Sequence, residues 1–263
     1  MPERVRPLAL MLWLLLPSAS ALAAPADNVR FAAEDWPPFI TPTLPGHGLS
    51  GTLVSAVYEK LGQSAQVEYF PWKRTMEFGL HHPRYAGFMA VWRTPEREKL
   101  CHFSAPIGNT QTVLVFLKDA ALQAGSLAEL TGMRIGTVAG YSNGEQFDGM
   151  ARQGLLRAEE GVNDEINLRK LLSKRFPAIV VEKHVLRHLL YNSGRFSKAE
   201  RERITFSEQA FKERAVHICF KRTAEGLAQQ KAYNDAAREI DLAKFEREYW
   251  RRIGMDGAAP SEN

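Results

Sequence analysis

Metal and thiol chemistry have little material in this chain. Only two cysteines, Cys101 and Cys219, occur in 263 residues, and no histidines stand at ligand spacing around them. Neither a zinc site nor a disulfide-rich scaffold follows. His81-His82, beside Pro83, reads as a solvated loop pair. A strong excess of one charge is also missing. The formal net charge is +4, and the two signs are interspersed, as in Arg201-Glu202-Arg203 and Glu246-Arg247-Glu248. That pattern describes a solvated surface and excludes a nucleic-acid footprint. There is no solenoid repeat and no low-complexity tract. After residue 16 no apolar run is long enough to cross a bilayer.

What the chain does have is a well-provisioned core. Hydrophobic residues make up 45% and charged residues 24%, which suits one large domain or two lobes of ordinary size. The first stretch has the features of a secretory leader. Arg4 and Arg6 precede an apolar run over Leu8–Leu16, and Ala21 and Ala23 form an A-x-A site. Cleavage is expected after Ala23, giving residues 1–23 as a signal peptide and a monomeric mature protein in the periplasm. Removing Glu3, Arg4 and Arg6 takes the charge from +4 to +3. In an oxidising compartment Cys101 and Cys219 either form a disulfide or stay as two buried thiols. The sequence leaves both open.

Strand and helix signals alternate. Val29–Ala33, Gln66–Phe70 and Tyr85–Val91 have strand character, separated by helices over Leu53–Leu61 and Trp72–Leu80. That order implies an α/β fold with a parallel sheet. After a strand at Thr112–Leu117 a second unit begins: strand at Arg134–Val138, helix at Glu145–Arg152, helix at Asn163–Leu172, strand at Ala178–Val181 and helix at Val185–Tyr191. Ala215–Phe220 is a late strand, and two helices close the chain. Val113–Leu117 and Val216–Phe220 bracket the middle unit as two candidate hinge connections.

The segment Trp92-Arg93-Thr94-Pro95-Glu96-Arg97 carries the chemistry. A buried strand ends there and delivers a guanidinium, whose planar fork suits a carboxylate. Together with Trp36-Pro37-Pro38-Phe39, the helix between Gly51 and Gly62, Phe103-Ser104-Ala105-Pro106 and Glu248-Tyr249-Trp250-Arg251-Arg252-Ile253-Gly254, this ordered set resembles the family-three extracellular solute-binding proteins. Those are the polar-amino-acid receptors of ABC transporters. The resemblance implies a two-lobed periplasmic-binding-protein fold of type II, with the lobes joined by two hinge strands. It places residues 28–117 plus 215–254 in lobe 1 and 118–214 in lobe 2, with the ligand between them.

By the same resemblance Arg97 holds a ligand carboxylate, with Thr94 as helix cap, ligand donor or both. Glu182, at a strand end, stands where the family carries an aspartate for the ligand amino group. Gly140, Tyr141 and Ser142 form a strand-to-helix turn that is either a plain N-cap or a cradle of N–H groups for an anion. Trp36 matches an aromatic that stacks on the ligand, and Trp72 and Trp92 are further candidate walls. Arg74 and Arg93 add positive charge. The chain departs from the family pattern at Ala90, in place of a glycine, at Tyr85 and Pro177, in place of aspartates, and at Trp92, in place of a small hydroxyl residue. Trp92 fills much of the usual amino-acid site.

The expectation is therefore a binding protein, not an enzyme, that needs no cofactor or metal and presents a small polar carboxylate or amino-acid-like ligand to a membrane permease. Two alternatives remain: a periplasmic dehydratase or lyase on the same fold, with Glu182 as its acid, and a sensory receptor without transport.

Overall fold

The computed structural model describes residues 28–120, 122 and 125–256. The leader and its cleavage site lie outside the described residues. In chain order the first part comprises β1 (Asn28–Ala33), α1 (Gly48–Lys60), β2 (Ser64–Tyr69), α2 (Trp72–His81), β3 (Gly87–Trp92), α3 (Pro95–Glu98), β4 (Cys101–Phe103) and β5 (Gly108–Thr110). The middle part runs through β6 (Thr112–Leu117), β7 (Arg134–Val138), α4 (Glu145–Arg152), β8 (Arg157–Gly161), α5 (Asp164–Leu172), β9 (Ala178–Glu182), α6 (Lys183–Arg187), α7 (Lys198–Glu202) and β10 (Ile204–Ser207). The chain closes with β11 (Arg214–Lys221), α8 (Ala224–Ala237) and α9 (Leu242–Arg252).

These elements build two sheets. The first has the order β2-β1-β3-β11-β4, with β5 also paired to β11; the second has the order β10-β6-β9-β7-β8. Both are mixed, not purely parallel. The expected parallel pairing holds for β1 with β2 and β3, but β11 runs antiparallel to β3, and β6 antiparallel to β9. The segment Thr112–Leu117, expected with the first lobe, pairs with β9 and β10 and so belongs to the second sheet. Its residues are almost all buried, as expected of an internal strand with β9 and β10 on its edges and both faces covered. β8 escaped detection because Arg157-Ala-Glu-Glu-Gly has the polar composition of an edge strand.

The chain crosses between the sheets at Gln111 and again at 208–213. Gln111 ties the crossings together, its Nε2 donating to Thr112 O at 2.8 Å and to Phe211 O at 3.1 Å. The cysteine question is settled: Cys101 on β4 and Cys219 on β11 are bonded, with a Cα–Cα distance of 5.3 Å. The bridge spans 118 residues of sequence and staples the first sheet around the whole excursion into the second.

Local chemistry explains the element ends that matter for function. Thr94 caps α3, its Oγ1 accepting from Arg97 N at 3.2 Å, with Pro95 at the first helical position. Asn163 caps α5 by accepting from Ile166 N at 2.9 Å. Ala90 lies inside β3 with φ of 58°, a left-handed conformation that costs an alanine about 1–2 kcal/mol. The pairing of β3 with β11 shifts register opposite it, between His217 and Cys219. The glycine usual at this position in the resembled family would adopt that conformation without the penalty.

Candidate functional site

The carboxyl ends of the first-sheet strands face the β7–α4 turn of the second lobe. A cavity lies between them, lined by Glu34, Trp36, Trp72, Ala90, Trp92 and Tyr141 over a floor of Ile40 and Met89. It is narrow, with four aromatic rings drawn together around it. The rings pack edge to face, with Trp36–Trp92 centroids 5.4 Å apart and Tyr141 at 5.7 Å from both Trp92 and Trp72. Trp92 is thus part of the wall, its Nε1 donating to Thr110 Oγ1 at 2.8 Å.

Arg97 reaches across the lobes. Its Nη1 donates to Trp92 O at 2.8 Å and its Nη2 to Gly140 O at 3.1 Å, while the guanidinium carbon stands 5.3 Å from the Trp72 ring centroid. Trp72 Nε1 donates to the same carbonyl, Gly140 O, at 2.9 Å. Gly140 is required by both conformation and space: its φ is +78°, and a Cβ there would lie 3.2 Å from the Trp72 ring. Burial draws the Arg97 guanidinium down to about 10, opposed by the charges of Asp148 and Glu96, so it stays cationic at neutral pH.

A second cation comes from Arg214, which the sequence analysis passed over. It opens β11 at the return crossing, stands 4.6 Å over the Trp92 ring and donates from Nη2 to Ser142 O at 2.9 Å. Burial lowers it to about 10 as well, with Asp148 opposing and Arg97 reinforcing the shift. No sequence motif marks it; only the crossing brings it to the turn.

The turn itself differs from an anion cradle. Asp148 on α4 already occupies it, accepting from Ser142 Oγ at 2.8 Å and from Asn143 N at 3.0 Å. Gly140–Gly144 also has the spelling G-x-S-x-G between a strand and a helix. Ser142 is nevertheless not among the residues with positive φ, and its hydroxyl donates to Asp148 with no histidine in its network. The strained, base-paired serine of a nucleophile elbow is not built here.

Glu182 sits apart from the cavity lining. Its carboxylate accepts from Val185 N at 2.8 Å as the cap of α6, and from Gln111 N at 3.2 Å, with His184 Nδ1 also at 3.2 Å. Its acceptors are thereby committed to the crossing at Gln111 and to the start of α6. Arg74 is exposed because the buried face of α2 carries Trp72, Thr75 and Gly79, and residue 74 points the opposite way. Arg93 is exposed and pairs with Glu98.

Two carboxyls the sequence analysis missed lie at the inter-lobe surface. Glu34 follows β1 and accepts from Tyr141 Oη at 2.5 Å. Burial, the dominant cause, raises it to about 7 against the hydrogen bonds from Tyr141 and the Trp72 backbone. Asp164, the first residue of α5, is 6% exposed, and burial together with the Glu34 and Glu182 charges raises it to about 7. Among the described residues there is no cluster of three side chains able to hold a metal ion, and no helix long and apolar enough to cross a membrane.

No family model and no curated protein sequence matches the chain. Solved structures do. A mutant of the arginine-binding protein ArgBP from T. maritima superposes with a TM-score of 0.68 at 15% identity, over 86% of this chain and 95% of that one. The GluR0 ligand-binding core from Nostoc punctiforme in complex with L-glutamate gives 0.68 at 18% identity, over 87% and 100%. The ancestral amino-acid-binding protein AncCDT-1, a precursor of cyclohexadienyl dehydratase, gives 0.65 at 17% identity, over 86% and 94%. At these identities the likeness establishes the fold, that of two-lobed periplasmic binding proteins.

Proposed function

We propose that this chain is an exported solute-binding protein that captures a small polar ligand bearing a carboxylate, amino-acid-like in size, between its lobes and presents it to the permease of an ABC-type importer. The observation that carries the reading is Arg97. A guanidinium on the first lobe, stacked on Trp72, spends its donors on backbone carbonyls, one of them across the cleft. A carboxylate offers the same fork two charged acceptors instead of neutral ones, and charge-assisted bonds are roughly twice as strong. Lobes that part release Gly140 O and free the Nη2 donor, and a carboxylate that takes its place while also touching the second lobe binds the closed form better than the open one, which is the differential affinity that drives closure. Substrate-binding proteins of amino-acid importers share this fold, which supports the transport role.

The test is a thermal-shift screen of amino acids, small dicarboxylates and polyamines. A ligand at a hundred times its Kd stabilises by about 2.7 kcal/mol, and the shift is expected to vanish in Arg97→Ala. A shift that survives Arg97→Ala overturns the carboxylate assignment.

One observation favours the dehydratase reading: Glu34 lines the cavity and is raised to about 7, the range of a general acid. On that reading Glu34, not Glu182, is the acid. Turnover of cyclohexadienyl acids that disappears in Glu34→Gln supports it, and no turnover across that class rejects it.

A further inference from the structure

Two guanidinium groups, not one, leave the first lobe for the β7–α4 turn of the second. Arg97 lies on the Trp72 face and donates to Gly140 O at 3.1 Å; Arg214 lies on the Trp92 face and donates to Ser142 O at 2.9 Å. The two carbonyls are two positions apart in the chain, so their α-carbons are separated by at most about 7.6 Å. Trp92 joins the pair, since its carbonyl accepts from Arg97 Nη1 at 2.8 Å while its ring carries Arg214. Tyr141, between the two carbonyls, stands 5.7 Å from each tryptophan ring. Arg214 is also fixed through its backbone. Trp92 Nε1 donates to Thr110 Oγ1, which donates to Arg214 O at 2.6 Å, and Thr110 is the β5 residue paired with Arg214. Neither guanidinium has a carboxylate within ion-pair distance among the described residues. Asp148, whose charge reaches both, is bonded to Ser142 Oγ and Asn143 N on the second lobe, and Glu34 is bonded to Tyr141 Oη.

We propose that Arg214 is a second anion-binding residue of the cleft and that the ligand is a small dicarboxylate, with one carboxylate on Arg97 and the other on Arg214. Gly140 O and Ser142 O hold the two forks in the absence of ligand, and lobes that part release both carbonyls together. Asp148 leaves with the turn that binds it, so the first lobe then presents two cations with no acid bonded to either. Each fork gains by exchanging a neutral carbonyl for a carboxylate, because charge-assisted bonds are roughly twice as strong. A monocarboxylate satisfies one fork and leaves the other without a counter-charge. The rings of Trp72, Trp92 and Tyr141 suit the short apolar link between two charged ends. A compact dianion such as sulfate concentrates its charge at one point, whereas these forks are aimed at two separate oxygens. The proposal rests on the two-lobed capture reading and narrows its ligand from one carboxylate to two.

The test is calorimetric titration at neutral pH of succinate, glutarate and L-glutamate against propionate, butyrate and γ-aminobutyrate, their counterparts with one carboxylate fewer. Inorganic sulfate serves as the compact dianion. The proteins are the wild type, Arg97→Ala, Arg214→Met and Arg214→Lys. At least one dicarboxylate is expected to bind the wild type about 10- to 100-fold more tightly than its counterpart, the increment of one charged hydrogen-bonded pair. Arg214→Met is expected to bring that ratio to about one, and Arg214→Lys, which keeps the charge but not the fork, to retain part of it. A purely structural role for Arg214 weakens both ligands of a pair by the same factor and leaves the ratio unchanged; that result overturns the proposal. So does a wild type without any such ratio, or sulfate that competes as strongly as the best dicarboxylate. If Arg214→Met does not fold, the ratios in the wild type and Arg214→Lys decide. A ligand whose binding is lost in Arg97→Ala but is indifferent to both Arg214 variants sinks the second anion site alone and leaves capture standing. A dicarboxylate ratio lost in Arg214→Met, with binding indifferent to Arg97→Ala, sinks the Arg97 assignment instead. Binding of no ligand in this set or in the thermal-shift screen sinks capture, and the second site with it.

Discussion

Arg97 and Arg214 on one side of Tyr141, and Glu34 and Asp164 on the other, are all charged side chains drawn out of water, and they differ in what they meet there. The arginines meet carbonyl oxygens of Trp92, Gly140 and Ser142 and the faces of two tryptophans. A turn always presents carbonyls, so a guanidinium can be solvated by backbone and keep its charge. Glu34 meets a phenol hydroxyl, and Asp164 lies against the edge of an indole. A carboxylate needs donors, and of those in the β7–α4 turn the Asn143 N–H and the Ser142 hydroxyl already go to Asp148. One side of the interface therefore remains ionised on burial, while the other gives up its charge to protons.

Four substitutions break or sharpen that contrast. Arg97→Ala removes two carbonyl contacts and the stacking on Trp72 and leaves Gly140 O with one donor; a loss of about 3 kcal/mol in unfolding free energy is expected by urea titration. Glu34→Gln works in the other direction. Its folded carboxyl sits at about 7 against an ordinary value of 4.5, so wild-type stability falls as pH rises through that window. The glutamine keeps an acceptor for Tyr141 and carries no charge, so a gain of about 2 kcal/mol is expected at pH 8 and almost none at pH 5. A gain independent of pH contradicts the account. Arg214→Met retains apolar contact with Trp92 and loses the bond to Ser142 O, for a cost of about 1 kcal/mol by the same measurement. Arg74→Ala, on the exposed face of α2, is expected to change stability by less than about 0.5 kcal/mol and to leave any ligand shift intact.

Much of the scaffold was legible. Strand β1, helix α2, strand β7 and helix α4 follow from their apolar spacing, and Thr94, just before Pro95, marks the start of α3 as its cap. The edge strands β4, β5, β8 and β10 were not, since short or polar strands carry no period. At the site, Arg97 was visible at the end of a buried strand. Glu182 was visible too, but its carboxylate went to Gln111 and Val185, partners decided by where the chain crosses between sheets. Arg214 and Asp164 carry no local mark at all.

The sequence by itself determined that two α/β units alternate around a strand-end arginine, because periodicity and capping act within a few residues. Tertiary structure alone decided which charges face each other, that Thr112–Leu117 joins the second sheet, and that Cys101 bonds Cys219. Burial and charge pairing depend on residues brought together from distant parts of the chain, and that proximity is fixed only when the two sheets have formed.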